Sequence, residues 1–251
     1  MKKIALITGA TSGIGLATAY KFAQAGIDLI LCGRRAEKLN SIAEELGKLV
    51  AVTTLIFDVR DQKAVEAAIG SLEDPWKKID ILVNNAGNAH GLSTIDKGDV
   101  ADWDAMIDGN VKGLLYVSRA IIPGMVERGA GHIVNISSIA GKETYRNGNV
   151  YCASKAAVET ISKGMRLELT EHGIKVTNIA PGAVETEFSL VRFKGDAERA
   201  AKVYAGFDPL KPEDIADAIF YAVSAPANVT VADITLLAGA QSEAMTIHRR
   251  E

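Results

Sequence analysis

Short hydrophobic runs and longer amphipathic stretches alternate along the whole chain. The short runs are rich in β-branched residues and stop at glycine or polar residues, as buried parallel strands do. They predict strands at residues 3–8, 27–32, 50–57, 80–83, 131–136, 174–179 and 234–237. The longer stretches predict helices at residues 16–25, 36–46, about 100–127, about 151–172 and 211–224, with one more after a capping Asp61.

Strand and helix alternate without a repeat or a linker. The pattern therefore predicts an α/β fold with a doubly wound parallel sheet of about seven strands. A chain of 251 residues has an ordinary length for one such domain, so we expect residues 1–251 to form a single domain. Ligands of these sheets bind at the carboxyl ends of the strands.

Composition and charge narrow the classes of function. The formal net charge is −3 and the sequence has no dense basic run, which argues against nucleic acid as the main partner. The first apolar run is too short for a signal peptide, and no stretch is long enough to span a membrane. The two cysteines, Cys32 and Cys152, fit a reducing cytoplasm better than a disulfide framework. Four scattered histidines lack the spacing of metal ligands, so we expect no metal site.

A glycine-rich turn separates the first strand from the first helix. Its sequence is Gly9-Ala10-Thr11-Ser12-Gly13-Ile14-Gly15. Such a turn lets the backbone approach a pyrophosphate, which then lies at the positive N-terminus of the helix. The GxxxGxG spacing is a relative of the GxGxxG fingerprint rather than a match to it. The turn predicts a nucleotide site.

Arg34 and Arg35 follow the second strand, where a dinucleotide fold meets the adenosine ribose. A carboxylate at that point selects a free 2′-hydroxyl, whereas arginine accommodates a 2′-phosphate. Guanidinium matches phosphate in geometry as well as in charge. The two arginines therefore favour NADP over NAD, with Arg34 as the stronger candidate. The alternative is that both only solvate the start of the helix at residues 36–46.

Tyr151 and Lys155 lie four residues apart, on one face of a predicted helix. A phenol titrates near ~10, so it moves protons poorly at neutral pH unless a neighbouring cation lowers its pKa. The pair predicts a tyrosine that works as an acid and base. On spacing alone, an aromatic core residue beside an exposed lysine is the simpler interpretation. The remaining motifs of the chain favour the catalytic one.

Other polar and glycine motifs also follow predicted strands. They are Asp58-Val59 after the third strand, Asn84-Asn85-Ala86-Gly87 after the fourth, Ser137-Ser138 after the fifth and Pro181-Gly182 after the sixth. Because the carboxyl ends of parallel strands share one edge of the sheet, we expect these motifs to form one site.

In their order and spacing, these motifs resemble the short-chain dehydrogenase/reductase family over nearly the whole chain. The matching positions are Thr8, Gly9, Gly13, Gly15, Asn84, Asn85, Ala86, Gly87, Asn110, Ser138, Tyr151, Lys155, Pro181, Gly182 and Thr186. The resemblance implies a Rossmann fold and an NADP-dependent enzyme that acts on CH–OH donors. It also implies that Tyr151 is the acid and base and that Ser138 hydrogen-bonds the reacting oxygen.

Further roles follow from the same resemblance. Lys155 would hold the nicotinamide ribose and lower the pKa of Tyr151, and Asn110 would support a water on the proton path. Contacts to the cofactor are implied for Gly9, Thr11, Ser12, Gly13, Ile14, Gly15, Arg34, Arg35, Asp58, Val59, Asn85, Ala86, Gly87, Tyr151, Lys155, Pro181, Gly182, Val184 and Thr186.

The substrate is expected to contact residues 183–207, which follow the sixth strand and form the substrate-binding lid of the family. Within this segment, residues 188–196, together with residues 131–133 and 148–151, resemble those of the NADP-dependent 3-hydroxy acid dehydrogenases, including serine 3-dehydrogenases. That group acts on serine, allo-threonine and 3-hydroxyisobutyrate, or reduces the corresponding semialdehydes. Arginine grips a carboxylate with two hydrogen bonds, so we expect Arg192 or Arg146 to bind it, with Ser138 and Tyr151 at the reacting group. The alternative is that Arg192 only faces solvent.

Three rival functions fit parts of the pattern. A reductase of larger ketones, such as 3-oxoacyl chains, would use the same catalytic residues. A non-catalytic NADP-binding sensor should lack part of the catalytic set, which is complete here. A nucleotide-sugar epimerase needs an additional substrate domain, for which the chain leaves little room. The family resemblance implies a homotetramer, and the order of the tail at residues 242–251 stays open.

Overall fold

The computed structural model describes residues 2–250. Its strands are β1 (Ile4–Thr8), β2 (Asp28–Gly33), β3 (Val52–Ile56), β4 (Ile81–Asn84), β5 (Gly131–Ile136), β6 (Ile174–Pro181) and β7 (Asp233–Leu236). All seven form one sheet in the order β3-β2-β1-β4-β5-β6-β7, and each neighbouring pair is parallel.

The helices alternate with these strands. They are α1 (Gly13–Gln24), α2 (Ala36–Leu46), α3 (Gln62–Gly70), α4 (Val100–Ile107), α5 (Gly113–Arg128), α6 (Asn149–Leu169), α7 (Phe188–Arg192), α8 (Ala197–Tyr204) and α9 (Pro212–Ser224). The predicted cap of α3 is confirmed, because the carboxylate of Asp61 accepts a hydrogen bond from Ala64 N at 3.1 Å.

Two hydrophobic cores lie on opposite faces of the sheet, because successive side chains of a strand point in opposite directions. In β1, Ala5 and Ile7 face one core, while Ile4 and Leu6 face the other. Helices α1, α2 and α9 cover the first core, and α3, α5 and α6 cover the second. The predicted doubly wound α/β fold is therefore confirmed.

Two predicted elements need correction. The helical stretch predicted at about 100–127 is confirmed in extent, but it is not one regular α-helix, because a π-helical turn at Asp108–Lys112 separates α4 from α5 and contains the buried Asn110. The sixth strand runs two residues further than predicted, through Pro181. It does so because β7 pairs with it as far as Leu236.

Within residues 2–250, no helix is long and apolar enough to cross a membrane. The same residues contain no group of three or more His, Cys, Asp or Glu side chains arranged to hold a metal ion.

His132 is a buried titratable residue in the middle of the sheet. Its Nε2 lies 2.8 Å from Thr177 Oγ1, which joins β5 to β6. Burial, with a smaller effect of the charges on Lys175 and Lys3, lowers the pKa of His132 from 6.5 to about 4. The unfolded chain therefore binds this proton more readily than the folded one. The stability due to neutral His132 is present above pH 6.5 and is lost as the pH falls towards 4.

We expect this histidine to destabilise the protein by about 2 kcal/mol between about pH 7 and about pH 4.5. His132→Asn should remove that part of the pH dependence, whatever fixed cost the smaller side chain adds. The exposed His172 provides the control, since His172→Asn should keep the wild-type slope. Urea unfolding at a series of pH values measures the free energy of unfolding of both variants and of wild type. An equal slope in wild type and His132→Asn would show that another group is responsible.

Candidate active site

A cavity of about 740 Å³ opens at the carboxyl ends of the strands. It lies beside the junction of β1 and β4, where the order of the strands in the sheet reverses. The structure brings the predicted motifs together here. The predicted site residues that line the cavity are Gly9, Thr11, Ser12, Gly13, Ile14, Arg34, Arg35, Asp58, Val59, Asn85, Ala86, Gly87, Ser138, Tyr151, Lys155, Pro181, Gly182, Val184, Thr186 and Arg192.

The glycine-rich turn forms one wall of the cavity. Gly9 and Gly13 have φ angles of 67° and 52°, a left-handed conformation that favours glycine. The side chain of the N-cap residue Ser12 does not cap α1, and the first turn of the helix contains no acidic residue. The positive end of α1 therefore faces the cavity without a competing carboxylate of its own, as an anion site requires.

Gly15 has a different role from the one predicted. It lies outside the lining of the cavity, although the rest of its motif lines it. A Cβ at this position would lie 2.5 Å from Gly9 O and nearer still to Asn85 Nδ2. Gly15 therefore permits close packing of α1 against the turn and the end of β4, rather than a contact with a ligand.

Thr8 joins the glycine turn to the segment after β4. Its hydroxyl accepts hydrogen bonds from the backbone N–H groups of Asn85 at 3.0 Å and Ala86 at 2.9 Å. Asn85 Nδ2 in turn donates to Thr8 O at 2.8 Å. A Cβ on Gly87 would lie 3.4 Å from Lys155 Nζ, so glycine leaves the cavity open beside the lysine.

Arg35 is held firmly at the end of β2. Its Nε and Nη2 donate to Thr11 Oγ1 at 3.1 and 2.8 Å, and Nη2 also donates to Ser12 Oγ at 2.8 Å. Its Nη1 forms an ion pair with Glu187 at 3.0 Å. Arg34 is more exposed and is held less tightly. The structure therefore makes Arg35, rather than Arg34, the better ordered cation.

Asp58 accompanies Arg34 at this end of the cavity. Its Oδ2 lies 3.3 Å from Arg34 Nη1 and 2.7 Å from Arg60 Nη2. Partial burial opposes ionisation, but hydrogen bonds and charge from Arg60, together with the charge of Arg34, lower the pKa of Asp58 to about 2. The end of the cavity nearest β2 thus combines guanidinium groups and hydroxyls, a donor set that fits the 2′-phosphate of NADP.

Tyr151 and Lys155 are buried at the other end of the cavity. Burial raises the pKa of Tyr151 to about 12, and the charge of Arg192 and a hydrogen bond from Ser138 oppose this only in part. Burial also lowers the pKa of Lys155 to about 8, and its Nζ donates to Ile136 O at 2.9 Å. The pKa of Tyr151 is thus raised rather than lowered in this structure, because desolvation outweighs the charge of Arg192 and the hydrogen bond from Ser138. A lowering by Lys155 stays a prediction.

Asn110 lies in the π-helical turn, just behind the cavity. Its Oδ1 accepts from Asn88 N at 2.7 Å, and its Nδ2 donates to Asn88 O and to Ser154 Oγ, both at 2.9 Å. The side chain thus joins α6 to the segment after β4. The widened turn is typical of functional positions in helices. A role for Asn110 on a proton path stays a prediction.

Arg192 covers the phenol of Tyr151 from the lid side. Its guanidinium carbon lies 4.8 Å from the centroid of the Tyr151 ring and 5.3 Å from that of Phe188. Its Nη2 donates to Tyr145 Oη at 2.8 Å. Its Nε is buried and has no hydrogen-bond partner among the described residues. A buried N–H without an acceptor is costly, so an anionic ligand would be stabilised here.

Tyr145 was not predicted from the sequence, because no motif distinguishes it from other tyrosines in loops. Only the folded structure shows that the Tyr145 hydroxyl lies next to Arg192 at the cavity. Its neighbour Arg146 was the alternative carboxylate ligand. That alternative is not supported, because Arg146 is exposed to solvent and lies outside the lining of the cavity.

The described part of the C-terminal tail packs against the lid. Arg249 Nη2 donates to Val203 O at 3.0 Å, and Arg250 N donates to Gly206 O at 2.6 Å. Met245 and Arg249 line the cavity. The sequence left open whether this tail is ordered. In the structure, its described residues pack against their own chain and form part of the cavity wall near the substrate end.

The fold and the cavity define the class of protein. A family model described as short chain dehydrogenase matches residues 3–196. The chain belongs to the short-chain dehydrogenase family. Its sequence is 46% identical over 248 residues to the NADP-dependent 3-hydroxy acid dehydrogenase YdfG of Salmonella typhi, covering 98% of this chain and 99% of that one.

Two further relatives bear on the chemistry. Sulfoacetaldehyde reductase 2 of Chromohalobacter salexigens is 47% identical over 232 residues, covering 92% of each chain. Among solved structures, the closed form of a serine dehydrogenase complexed with NADP⁺ superposes with a TM-score of 0.92. It is 45% identical in sequence, and the match covers 98% of this chain and 100% of that one.

Proposed function

We propose that this protein is an NADP-dependent oxidoreductase that acts on the 3-hydroxyl group of short 3-hydroxy acids, such as serine, allo-threonine or 3-hydroxyisobutyrate. In reverse, it reduces the corresponding semialdehydes. The observation that supports this substrate class best is Arg192, whose buried Nε has no hydrogen-bond partner among residues 2–250 and lies beside Tyr151. A carboxylate would satisfy that donor while the reacting hydroxyl lies at the phenol.

NADP is the cofactor in this proposal. The open N-terminus of α1 suits the pyrophosphate, and the guanidinium of Arg35 with the hydroxyls of Thr11 and Ser12 suits the 2′-phosphate. In this proposal, Lys155 holds the nicotinamide ribose. When bound, NADP supplies the acceptor for the hydride, so the protein itself has to orient the substrate and move one proton.

Tyr151 is the group that moves this proton. In oxidation, its Oη accepts the proton of the substrate hydroxyl, and in reduction it returns a proton to the carbonyl oxygen. Ser138 lies beside the phenol and hydrogen-bonds the same oxygen. Asn110 supports a water on the path by which the proton reaches solvent. The lid at residues 183–207 and the described part of the tail, residues 242–250, close the substrate end.

An absorbance assay tests the function directly. We expect L-serine with NADP to produce the absorbance band of reduced nicotinamide. With NAD, the band should be far weaker, because NAD lacks the 2′-phosphate that Arg35 would bind. Activity with NAD alone would contradict the cofactor. Oxidation of NADPH by long 3-oxoacyl substrates without activity on serine would favour the larger-ketone reductase. Binding of NADP without turnover of any substrate would favour a sensor.

A substitution of Arg192 tests the carboxylate site. Arg192→Gln should lower kcat/KM for serine relative to serinol, which has a hydroxymethyl group in place of the carboxylate, by roughly 10- to 100-fold. Using the ratio of the two substrates cancels any effect of the substitution on the Tyr151 pKa. Arg146→Gln is the matched control and should leave the ratio unchanged. If Arg192→Gln left the ratio of kcat/KM for serine to that for serinol unchanged, Arg192 would not be the residue that binds the carboxylate.

A second candidate function follows from one of the relatives. The sulfoacetaldehyde reductase of Chromohalobacter salexigens is as similar to this chain as the 3-hydroxy acid dehydrogenase. Arg192 and Tyr145 offer hydrogen-bond donors that suit a sulfonate as well as a carboxylate. Sulfoacetaldehyde and malonic semialdehyde, compared as substrates with NADPH, separate the two. A higher kcat/KM for sulfoacetaldehyde would favour the second function.

We also propose a homotetramer located in the cytoplasm. The helices expected at the interface, α5 and α6, have exposed apolar side chains, with Leu115 40% and Leu167 85% exposed. Cys32 and Cys152 are both free and buried, which suits a reducing compartment. Light scattering after gel filtration should give four times the mass of the chain, and Leu167→Asp should lower it. A monomeric wild-type mass would exclude the tetramer.

A further inference from the structure

Glu187 connects the two ends of the cavity. It immediately precedes α7, and its carboxylate bridges two cations, with Oε2 3.0 Å from Arg35 Nη1 and Oε1 3.4 Å from Lys38 Nζ. Both cations lie at or just after the end of β2, where the 2′-phosphate is expected. Partial burial opposes ionisation, but Arg35 and Lys38 hold the pKa of Glu187 below its ordinary value. Glu187 is therefore an anion at neutral pH.

The hydrogen bonds of Arg35 show why this carboxylate matters. A guanidinium has five N–H donors. The Nε and Nη2 groups of Arg35 are turned towards Thr11 and Ser12, and Nη1 is turned towards Glu187. A 2′-phosphate that arrives at the end of β2 meets Glu187 on the remaining edge of the guanidinium. The two anions then compete for the same cations or repel each other at short distance.

The same residue begins the helix at the substrate end. Glu187 O accepts a hydrogen bond from Val191 N at 3.0 Å. The next residue, Phe188, packs on Tyr151 with ring centroids 5.7 Å apart, and Arg192 at the other end of α7 covers the same ring. Because α7 has only five residues, a movement of Glu187 reaches the residues around the phenol.

We propose that Glu187 is a specificity-determining residue whose carboxylate occupies the 2′-phosphate site and is displaced from Arg35 and Lys38 by that phosphate. The displacement frees the first turn of α7 and so couples the adenosine end of the cavity to the substrate lid. This inference rests on the proposed NADP cofactor. According to this inference, Glu187 weakens the binding of the 2′-phosphate and makes the position of the lid depend on that binding.

Calorimetric binding of two small probes tests the competition without turnover. The probes are 2′,5′-ADP, which has the 2′-phosphate, and 5′-AMP, which lacks it. Glu187→Gln should bind 2′,5′-ADP about two- to fivefold more tightly than wild type, the range of a partly exposed ion pair, and should bind 5′-AMP equally well. Glu185→Gln is the matched control. It removes the same charge two residues away, where Glu185 pairs with Lys211 instead, and should change neither affinity.

Each other outcome overturns a defined part of the proposal. Weaker or unchanged binding of 2′,5′-ADP by Glu187→Gln would remove the competition. Tighter binding of both probes would indicate a general effect of charge and would also overturn it. Equal affinity of wild type for the two probes would contradict the NADP cofactor itself and, with it, the role of Glu187.

Hydrogen exchange tests the coupling to the lid. In wild type, 2′,5′-ADP should speed the exchange of backbone amides in α7, whereas 5′-AMP should not. In Glu187→Gln, these amides should exchange faster from the start and respond no further to 2′,5′-ADP. Unchanged exchange of α7 in wild type on addition of 2′,5′-ADP would show that the carboxylate competes for the site without controlling the lid.

Discussion

The close approach of α1 to the turn that follows β1 sets the frame of the whole cavity. The amide of Asn85 fits against Gly9 and Gly15 and donates to Thr8 O, so the two central strands β1 and β4 are tied together at their carboxyl ends. A side chain at Gly15 would press against the backbone oxygen of Gly9, which no rotamer change can relieve. The glycine-rich turn and the segment beside Lys155 are therefore held in a fixed position relative to each other.

A buried polar network fixes the position of α6, the helix that contains Tyr151 and Lys155. Glu159 on α6 accepts hydrogen bonds from Ser137 Oγ at 2.5 Å and Asn178 Nδ2 at 2.7 Å, and its other oxygen pairs with Lys142 Nζ at 3.1 Å. It joins the helix of Tyr151 to the residue that follows β5 and to the middle of β6. A buried carboxylate is tolerated only when it is paired and hydrogen-bonded. The network thus favours one position of α6 relative to the strand end that leads into Ser138.

Much of this arrangement could be predicted from local patterns, because strands, helix caps and the glycine turn depend on residues close in sequence. The strand period, the cap at Asp61 and the convergence of motifs at one edge are of this kind. The pKa of Tyr151 could not be predicted, because it depends on burial by residues distant in sequence, and helical spacing reports only proximity to Lys155. The contact of Tyr145 with Arg192 spans 47 residues and leaves no local signal.

Burial explains why the two ends of the cavity hold charge differently. At the end of β2, Arg35 and Asp58 are partly exposed, so water and neighbouring ions let them stay charged in pairs. Tyr151 and Lys155 are instead buried, and burial drives both towards their neutral forms, with the pKa of the phenol at about 12 and that of Lys155 at about 8. Two groups favour the phenolate of Tyr151: a hydrogen bond from Ser138 and the positive charge of Arg192, whose guanidinium carbon lies 4.8 Å from the centroid of the ring. Arg192 therefore acts on both sides of this end of the cavity, because its charge favours the ionised phenol while its buried Nε remains a donor for an anionic ligand.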